Sequence, residues 1–355
     1  MWVRAQGYDS AQLAEDYVTA SLVVVDPGEV LYSTLGHACL HMQCPTFGKD
    51  LFYTYEGEPV QDQVWTFLKG DLKMGMFALT KEDFLRAYRD EKRGAREYVL
   101  NLSPEQELRL WQVLDERVAQ GPYLPYDYFH RGCAKAVVTV VKEALGADSI
   151  QYAPWPERYV RETQRELVRD AMGNSPWSAF ELYCLIGADG DRSCSPEQKL
   201  IVPTDLVEVW QQANVDGRPL LIGQAQELIP SFPPQEAPWL TPLLVAIGLL
   251  IVSWWTPYPM LAVQTILGLV MTYLVVFSKL PCTDWNWLII PFNPLPALLW
   301  HWRRYWALPW AGVLGVWCLT MIVWPHHLVD WSQVVLTAAM MVVLVKNSRV
   351  PKKLK

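Results

Sequence analysis

Two short stretches concentrate the side chains able to do covalent chemistry. The first is Ser33-Thr34-Leu35-Gly36-His37-Ala38-Cys39-Leu40-His41. In an extended strand successive side chains point to opposite faces, so positions 37, 39 and 41 share one face. Two imidazoles and a thiol then point the same way. The second stretch is Tyr126-Asp127-Tyr128-Phe129-His130-Arg131-Gly132-Cys133-Ala134-Lys135-Ala136. Here Cys133 opens a helical pattern directly after a glycine, with Arg131 and Lys135 close by. The positive end of a helix and nearby cations both favour thiolate over thiol. A thiolate at a helix start facing an imidazole on a strand is the arrangement of a cysteine nucleophile with its base. The plain alternative is that both cysteines pack as small apolar residues.

The other candidates carry less chemistry. The chain has seven cysteines and six histidines. His301, His326 and His327 read as polar groups at a membrane interface, and Cys318 as packing inside an apolar segment. Cys184 and Cys194 could form a disulfide if a turn brings them together. No Cys/His spacing fits a zinc site, and Asp189-Gly190-Asp191 lacks the remaining ligands of a calcium loop. No metal or cofactor is therefore expected.

Positioning these groups requires strands and helices in the first two thirds of the chain. Tyr17–Val25 and Val30–Gln43 read as strands separated by the turn residues Asp26-Pro27-Gly28, and Leu51–Tyr55 as a third. Helical periodicity covers Lys81–Arg93, Ser103–Ala119, Ala134–Leu145, Glu157–Met172 and Pro203–Ala213. Ser103-Pro104-Glu105-Gln106 is a capping box with proline at the first helical position. Strands and helices do not alternate strictly, so the fold class expected is α+β.

The last third is a different object. From Trp239 onward eight basic residues face two acidic ones, a net +6, whereas the whole chain carries −7 and the front therefore −13. An acidic front excludes nucleic acid as a partner, because phosphate binding needs a basic face. Trp239–Trp255, Pro259–Ser278, Trp306–Trp324 and Trp331–Val345 approach or reach spanning length. Asn286–Trp300, broken by three prolines, makes a fifth segment. Twelve of the 18 tryptophans lie at or after Trp239, mostly near segment ends, as an interfacial belt requires. Arg303, Arg304 and the Lys-rich end fall on one side of five crossings, which the positive-inside rule makes cytoplasmic. The expected division is an extracytoplasmic domain over 1–229, a proline-rich linker over 230–238, a membrane domain over 239–346 and a basic tail over 347–355. Met1–Ser10 has no apolar signal region, so an export signal is expected to have been removed.

Taken together, the segments STLGHACLHMQ, DLFYTYEG, FLKGDLKMGMF, GAREYVLNLSPEQ and YLPYDYFHRGCAKAV resemble, in order and spacing, the Lnb lipoprotein N-acyltransferases of Bacteroides-type bacteria. The likeness continues through NSPWSAFELYCLIG and LIVPTDLVEVW to CTDWNWLIIPFNPLP in the membrane part. The resemblance implies a permuted papain-like, NlpC-type domain with His37 as base and Cys133 as nucleophile, followed by an all-α bundle of about five membrane helices. Relatives often have Asn before the cysteine, where this chain has Gly132. They also tend to have Tyr-Asn-Tyr-Gly at Tyr53-Thr54-Tyr55-Glu56. Thr54 and Tyr55, with Asp50 behind them, are therefore the candidates to orient His37. His41, where relatives often have Arg, is expected to contact substrate or phosphate. Arg131, Asn293 and Trp287 complete the expected substrate-binding set. The implied partners are a phospholipid acyl donor, a diacylglyceryl-modified apolipoprotein as acceptor, and the lipid bilayer. The implied place is the inner membrane, with the N-terminal domain periplasmic and the C-terminus cytoplasmic. The implied reaction passes through a Cys133 thioester. The alternatives are an NlpC-type cysteine peptidase or amidase, a phospholipase in which water resolves the same thioester, and a non-catalytic module.

Overall fold

Thr19–Val25, which ends in three β-branched valines, forms an interior strand, β1, of an antiparallel sheet. The other strands are β2 (His37–Cys44), β3 (Lys49–Gly57), β4 (Lys73–Thr80), β5 (Ala95–Leu100) and β6 (Leu221–Ile229). Their order is β6-β5-β1-β2-β3-β4, and Leu124–Pro125 adds a short seventh strand beside β4. The computed structural model describes residues 18–152, 154–172, 175–233, 238–324 and 330–348. Met1–Ser10, linker residues 234–237, His326, His327 and the tail from 349 onward lie outside the described residues.

The chain divides into two compact units. The first comprises Met1–Gln61, Leu72–Arg161 and Cys194–Pro234, the second Asp62–Asp71, Glu162–Ser193 and Gln235–Lys355.

In the first unit the helices that matter are α1 (Lys81–Asp90), α2 (Pro104–Gln120) and α3 (Cys133–Leu145). One sheet face presents Val23, Val25, Cys39, Phe52 and Ala95 to Phe84 and Tyr88 of α1, all buried. Phe52 and Phe84 stack with centroids 4.1 Å apart. On the opposite face Leu22, Val24, Ala38, Leu40, Met42 and Tyr53 are buried. There Tyr53 donates its hydroxyl to Asp115 of α2 (2.6 Å) and accepts from Trp111 (2.8 Å). Helix α3 packs on α2, β2 and β3.

Several expected boundaries move for identifiable reasons. The strand expected from Val30 begins at His37, because Leu31–Ser33 form a 3₁₀ turn and Gly36 turns the chain at φ +85°. A Cβ at Gly36 would stand 2.7 Å from the Val25 carbonyl oxygen, so the turn needs glycine there. The helix expected to Arg93 stops at Asp90, since Lys92 takes a left-handed φ of 55°. The helix expected over Glu157–Met172 is two, Glu157–Arg161 and Gln164–Ala171, because Thr163 and Glu166 start the second with a capping box of their own. The Ser103–Gln106 capping box forms as read.

In the second unit three helices are long and apolar enough to cross a membrane: Tyr258–Val276, Trp300–Val323 and Trp331–Ser348. Pro242–Val252 is a shorter apolar helix. The proline-rich stretch expected as a fifth segment is a run of 3₁₀ turns plus the four-residue helix Leu295–Leu298. Prolines 291, 294 and 296 remove the backbone donors a continuous helix would need.

Candidate active site

His37 is the first residue of β2 and is partly buried. The β2–β3 register pairs Cys39 with Thr54, so continuing it sets His37 opposite Glu56. Directly opposed residues share a face, which brings His37, Cys39, Thr54 and Glu56 to the same side of the sheet. The His37 Nε2 lies 2.6 Å from Thr54 Oγ1, and the Thr54 hydroxyl donates to Glu56 Oε1 at 2.9 Å. A hydroxyl has one proton to give. Having given it to Glu56, Thr54 must accept from His37, which assigns the proton to Nε2 and leaves a lone pair on Nδ1. Thr54 is wholly buried, so this orientation is held away from competing water. Burial pushes the Glu56 carboxyl above the ordinary range, against the bond from Thr54.

Cys133 is the first residue of α3, with Gly132 in extended conformation as its N-cap. Burial pushes its thiol up, while the backbone N–H groups of Ala38, Ala134 and Cys133 itself, then the Arg93 charge, pull it down. Ala38 follows His37 in the chain, so Cys133 lies at the end of β2 that carries His37. Burial first, and Arg93 second, lower His37 to about 3. The resting pair is therefore a thiol and a neutral imidazole. This corrects the expectation of a thiolate maintained by Arg131 and Lys135. Arg131 donates to the Pro125 carbonyl (2.9 Å) and Lys135 to the Glu197 carbonyl (3.0 Å). Arg93, forty residues upstream of Cys133, is the cation that acts on the site.

His41 shares the face of His37 but is 3% exposed. Its Nδ1 meets Glu97 Oε1 and its Nε2 meets Asp50 Oδ1, each at 2.6 Å, and its ring stacks on Phe52. Burial raises both carboxyls, yet their bonds to His41 outweigh it and hold Asp50 and Glu97 low. With both nitrogens taken, His41 cannot contact substrate or phosphate as expected; it is the centre of a buried ion cluster. Asp50 serves that cluster and does not stand behind His37. Tyr55 alternates to the opposite face of β3 from Thr54, where burial raises its phenol near Arg131. It does not orient His37. Glu56, which sequence reasoning passed over, occupies that role through Thr54. The turn Pro45–Gly48 pairs Cys44 with Lys49, and counting back along that register would have found it.

In the second unit Asn293 is tied into its own turn. It donates to the Ile290 carbonyl (2.8 Å) and accepts from Leu295 N–H (3.2 Å). Gln264, fully buried in helix Tyr258–Val276, donates to the Pro291 and Asn293 carbonyls. Gly268 of the same helix permits the approach, since a Cβ there would stand 2.4 Å from the Asn293 carbonyl carbon. The irregular backbone of the broken segment is thus tied to that helix through two of its carbonyls. Trp287 on it is 62% exposed. Cys184 accepts a hydrogen bond from Gln333, and among the described residues, which include all seven cysteines, there is no disulfide.

Residues 5–164 match the family described as the Lnb N-terminal periplasmic domain, a stretch that contains His37, Thr54, Glu56, Arg93 and Cys133. No curated protein and no solved structure matches the chain. A periplasmic N-terminal domain together with three helices of spanning length makes this a membrane protein.

Proposed function

We propose, from the match of residues 5–164 to the Lnb N-terminal periplasmic domain, that this protein is an Lnb-type lipoprotein N-acyltransferase. It moves an acyl chain from a phospholipid to the α-amine of a diacylglyceryl-cysteine, with Cys133 as nucleophile. The observation that supports this reading is a thiol at a helix start, held at the backbone of Ala38, next in the chain to a His37 whose Nδ1 is left free of protons by Thr54 and Glu56.

The chemistry follows from that pair. As Cys133 Sγ bonds to the ester carbonyl carbon, its proton passes to His37 Nδ1. The tetrahedral oxyanion is met by backbone N–H groups at the start of α3. Its collapse breaks the ester C–O bond, and His37 returns the proton to the departing lysophospholipid oxygen. The amine then attacks the thioester, His37 takes the amine proton, and the sulfur leaves and is reprotonated by His37. An acyl chain has moved from oxygen to nitrogen with no net redox change. Both substrates carry two tails, which accounts for an acyl-transfer domain joined to membrane helices.

The proposed placement is the inner membrane, with the first unit's domain in the periplasm and the C-terminus in the cytoplasm. One observation supports it. Gly187 and Ala188, from a segment between two stretches of the periplasmic domain, donate backbone bonds to Cys282 and Asp284. In this reading the chain just after helix Tyr258–Val276 is periplasmic, and Arg303, Arg304 and Lys346 are cytoplasmic, as the positive-inside rule prefers.

Incubation with labelled phospholipid alone, followed by a diacylated lipopeptide, tests the route. Label should accumulate on Cys133, be released by neutral hydroxylamine and pass to the peptide amine. Cys133→Ala should take up no label. Lysophospholipid formed at the same rate without peptide would make the protein a lipase. Triacylated product from Cys133→Ala would mean direct transfer.

A further inference from the structure

Arg93 is a buried cation with no assigned task. It lies in the turn between α1 and β5 and is 4% exposed. Its Nε donates to the Asp26 carbonyl and its Nη1 to Glu91, each at 2.8 Å. The Nη2 is buried and has no hydrogen-bond partner among the described residues. A buried guanidinium has five N–H donors to satisfy, and His41, two strands away, shows that the fold can set two carboxylates around one side chain. At Arg93 it provides one, and that one is at the surface: the Glu91 side chain is 40% exposed.

The guanidinium is also aimed. It lies over the ring of Tyr88, 5.0 Å from the centroid, and the Tyr88 ring in turn stacks on His37 at 6.1 Å and 27°. Imidazole, phenol and guanidinium form one column that ends at the base. A cation over an aromatic face is held there by the ring quadrupole, and Gly28 leaves the space: a Cβ there would stand 3.1 Å from Arg93 Cδ.

We propose that Arg93 is a positioning residue of the active site, a fixed buried charge that keeps His37 in its neutral, proton-accepting form and supports negative charge on Cys133. The role rests on the acyl-transfer reading only for its purpose. In the second half-reaction His37 must accept a proton from an amine, and a protonated imidazole could not. The groups facing His37 are Cys39 on β2, Glu56 behind Thr54 on β3, Tyr88 on α1, Cys133 on α3 and Arg93. Among them Arg93 alone is a cation, and its effect on both His37 and Cys133 has the sign the proposal needs. A bare packing role would not require that sign.

The test uses the full-length protein in detergent and reads Cys133 directly. Its alkylation rate by iodoacetamide is followed against pH by peptide mass spectrometry, so no lipid is involved. Arg93→Met should slow alkylation at pH 7 about tenfold and move the rising limb up by about one pH unit. Arg93→Lys should restore most of the rate. Glu91→Gln, which strips the partial neutralisation from Arg93 at a surface position, should move the limb down. A limb unmoved in both Arg93→Met and Glu91→Gln overturns the proposal. If Arg93→Met does not fold, the direction seen with Glu91→Gln decides alone. A wild-type protein that makes no lysophospholipid would sink the acyl-transfer reading while leaving this result intact.

Discussion

Replacing Thr54 by valine removes one hydroxyl and keeps the shape of the side chain, which isolates the orientation of His37 from its packing. In the wild-type site the Nε2 proton goes to Thr54 Oγ1 at 2.6 Å, and Thr54 gives its own proton to Glu56 at 2.9 Å. Valine leaves the Nε2–H facing a methyl group in a position with no access to water, since Thr54 is wholly buried. An unpaired buried donor costs about 1–3 kcal/mol. The ring can escape that cost by moving its proton to Nδ1, and then it can no longer accept from Cys133. Either way the loss falls on the reactive arrangement. At roughly 1.4 kcal/mol per decade, acyl transfer from labelled phospholipid to a diacylated lipopeptide should fall about 5- to 150-fold in kcat/KM. Thr54→Ser keeps the hydroxyl and should stay within a few-fold of wild type. Glu56→Gln keeps an acceptor for Thr54 and should also lose little. Thermal melts should show all three variants folded. A Thr54→Val enzyme within twofold of wild type, or a Thr54→Ser enzyme as damaged as it, would show that this chain of bonds does not position the base.

Two further outcomes follow from the charges. His37 is lowered to about 3 in the fold against an ordinary 6.5, so between those values the unfolded chain binds more protons than the folded one. Stability should therefore fall as pH drops through that window, measured by denaturation at each pH, and the slope should shrink in His37→Gln. Asp50 and Glu97, whose carboxyls are held low by His41, add loss in the same direction at the acid end. A His37→Gln slope equal to wild type would refute the assignment of a neutral base. At His41 the prediction reverses the usual expectation for a histidine near an active site. His41→Ala leaves two carboxylates without their shared partner and should destabilise the fold by up to about 3 kcal/mol, while the protein that remains folded keeps its rate within a few-fold. A rate loss of a hundredfold in a stably folded His41→Ala protein would return His41 to the catalytic set.

How far the sequence reached depends on how local each feature is. The Ser103 capping box, the position of Cys133 at a helix start and the alternation that aligns residues 37, 39 and 41 are all fixed within a few residues, and they stand in the structure. Turns that depend on one residue's φ, at Gly36 and Lys92, moved strand and helix ends that periodicity alone had extended. Hydropathy found the helices of spanning length, but it could not show that the proline-broken stretch would be held against the preceding helix at Gln264 and Gly268.

Sheet order decides which of the two histidines on β2 keeps a free ring nitrogen. β5 lies beside β1 and β1 beside β2, so Glu97, Val23, Cys39 and Thr54 stand in one row across the sheet. That row puts a carboxylate within reach of His41, and the β2–β3 hairpin supplies the second from Asp50. His37, at the mouth of β2, has only a hydroxyl on one nitrogen. Two carboxylates occupy both ring nitrogens of His41 and make it a structural group; one hydroxyl orients His37 and leaves its other nitrogen open. The difference is made by residues 56 positions downstream and nine positions downstream of His41. The same logic makes Arg93, and not its sequence neighbours Arg131 and Lys135, the charge that Cys133 experiences. Local sequence marks His37 and Cys133 as candidates, whereas the groups that surround them, Thr54, Glu56 and Arg93, are brought near only by the fold.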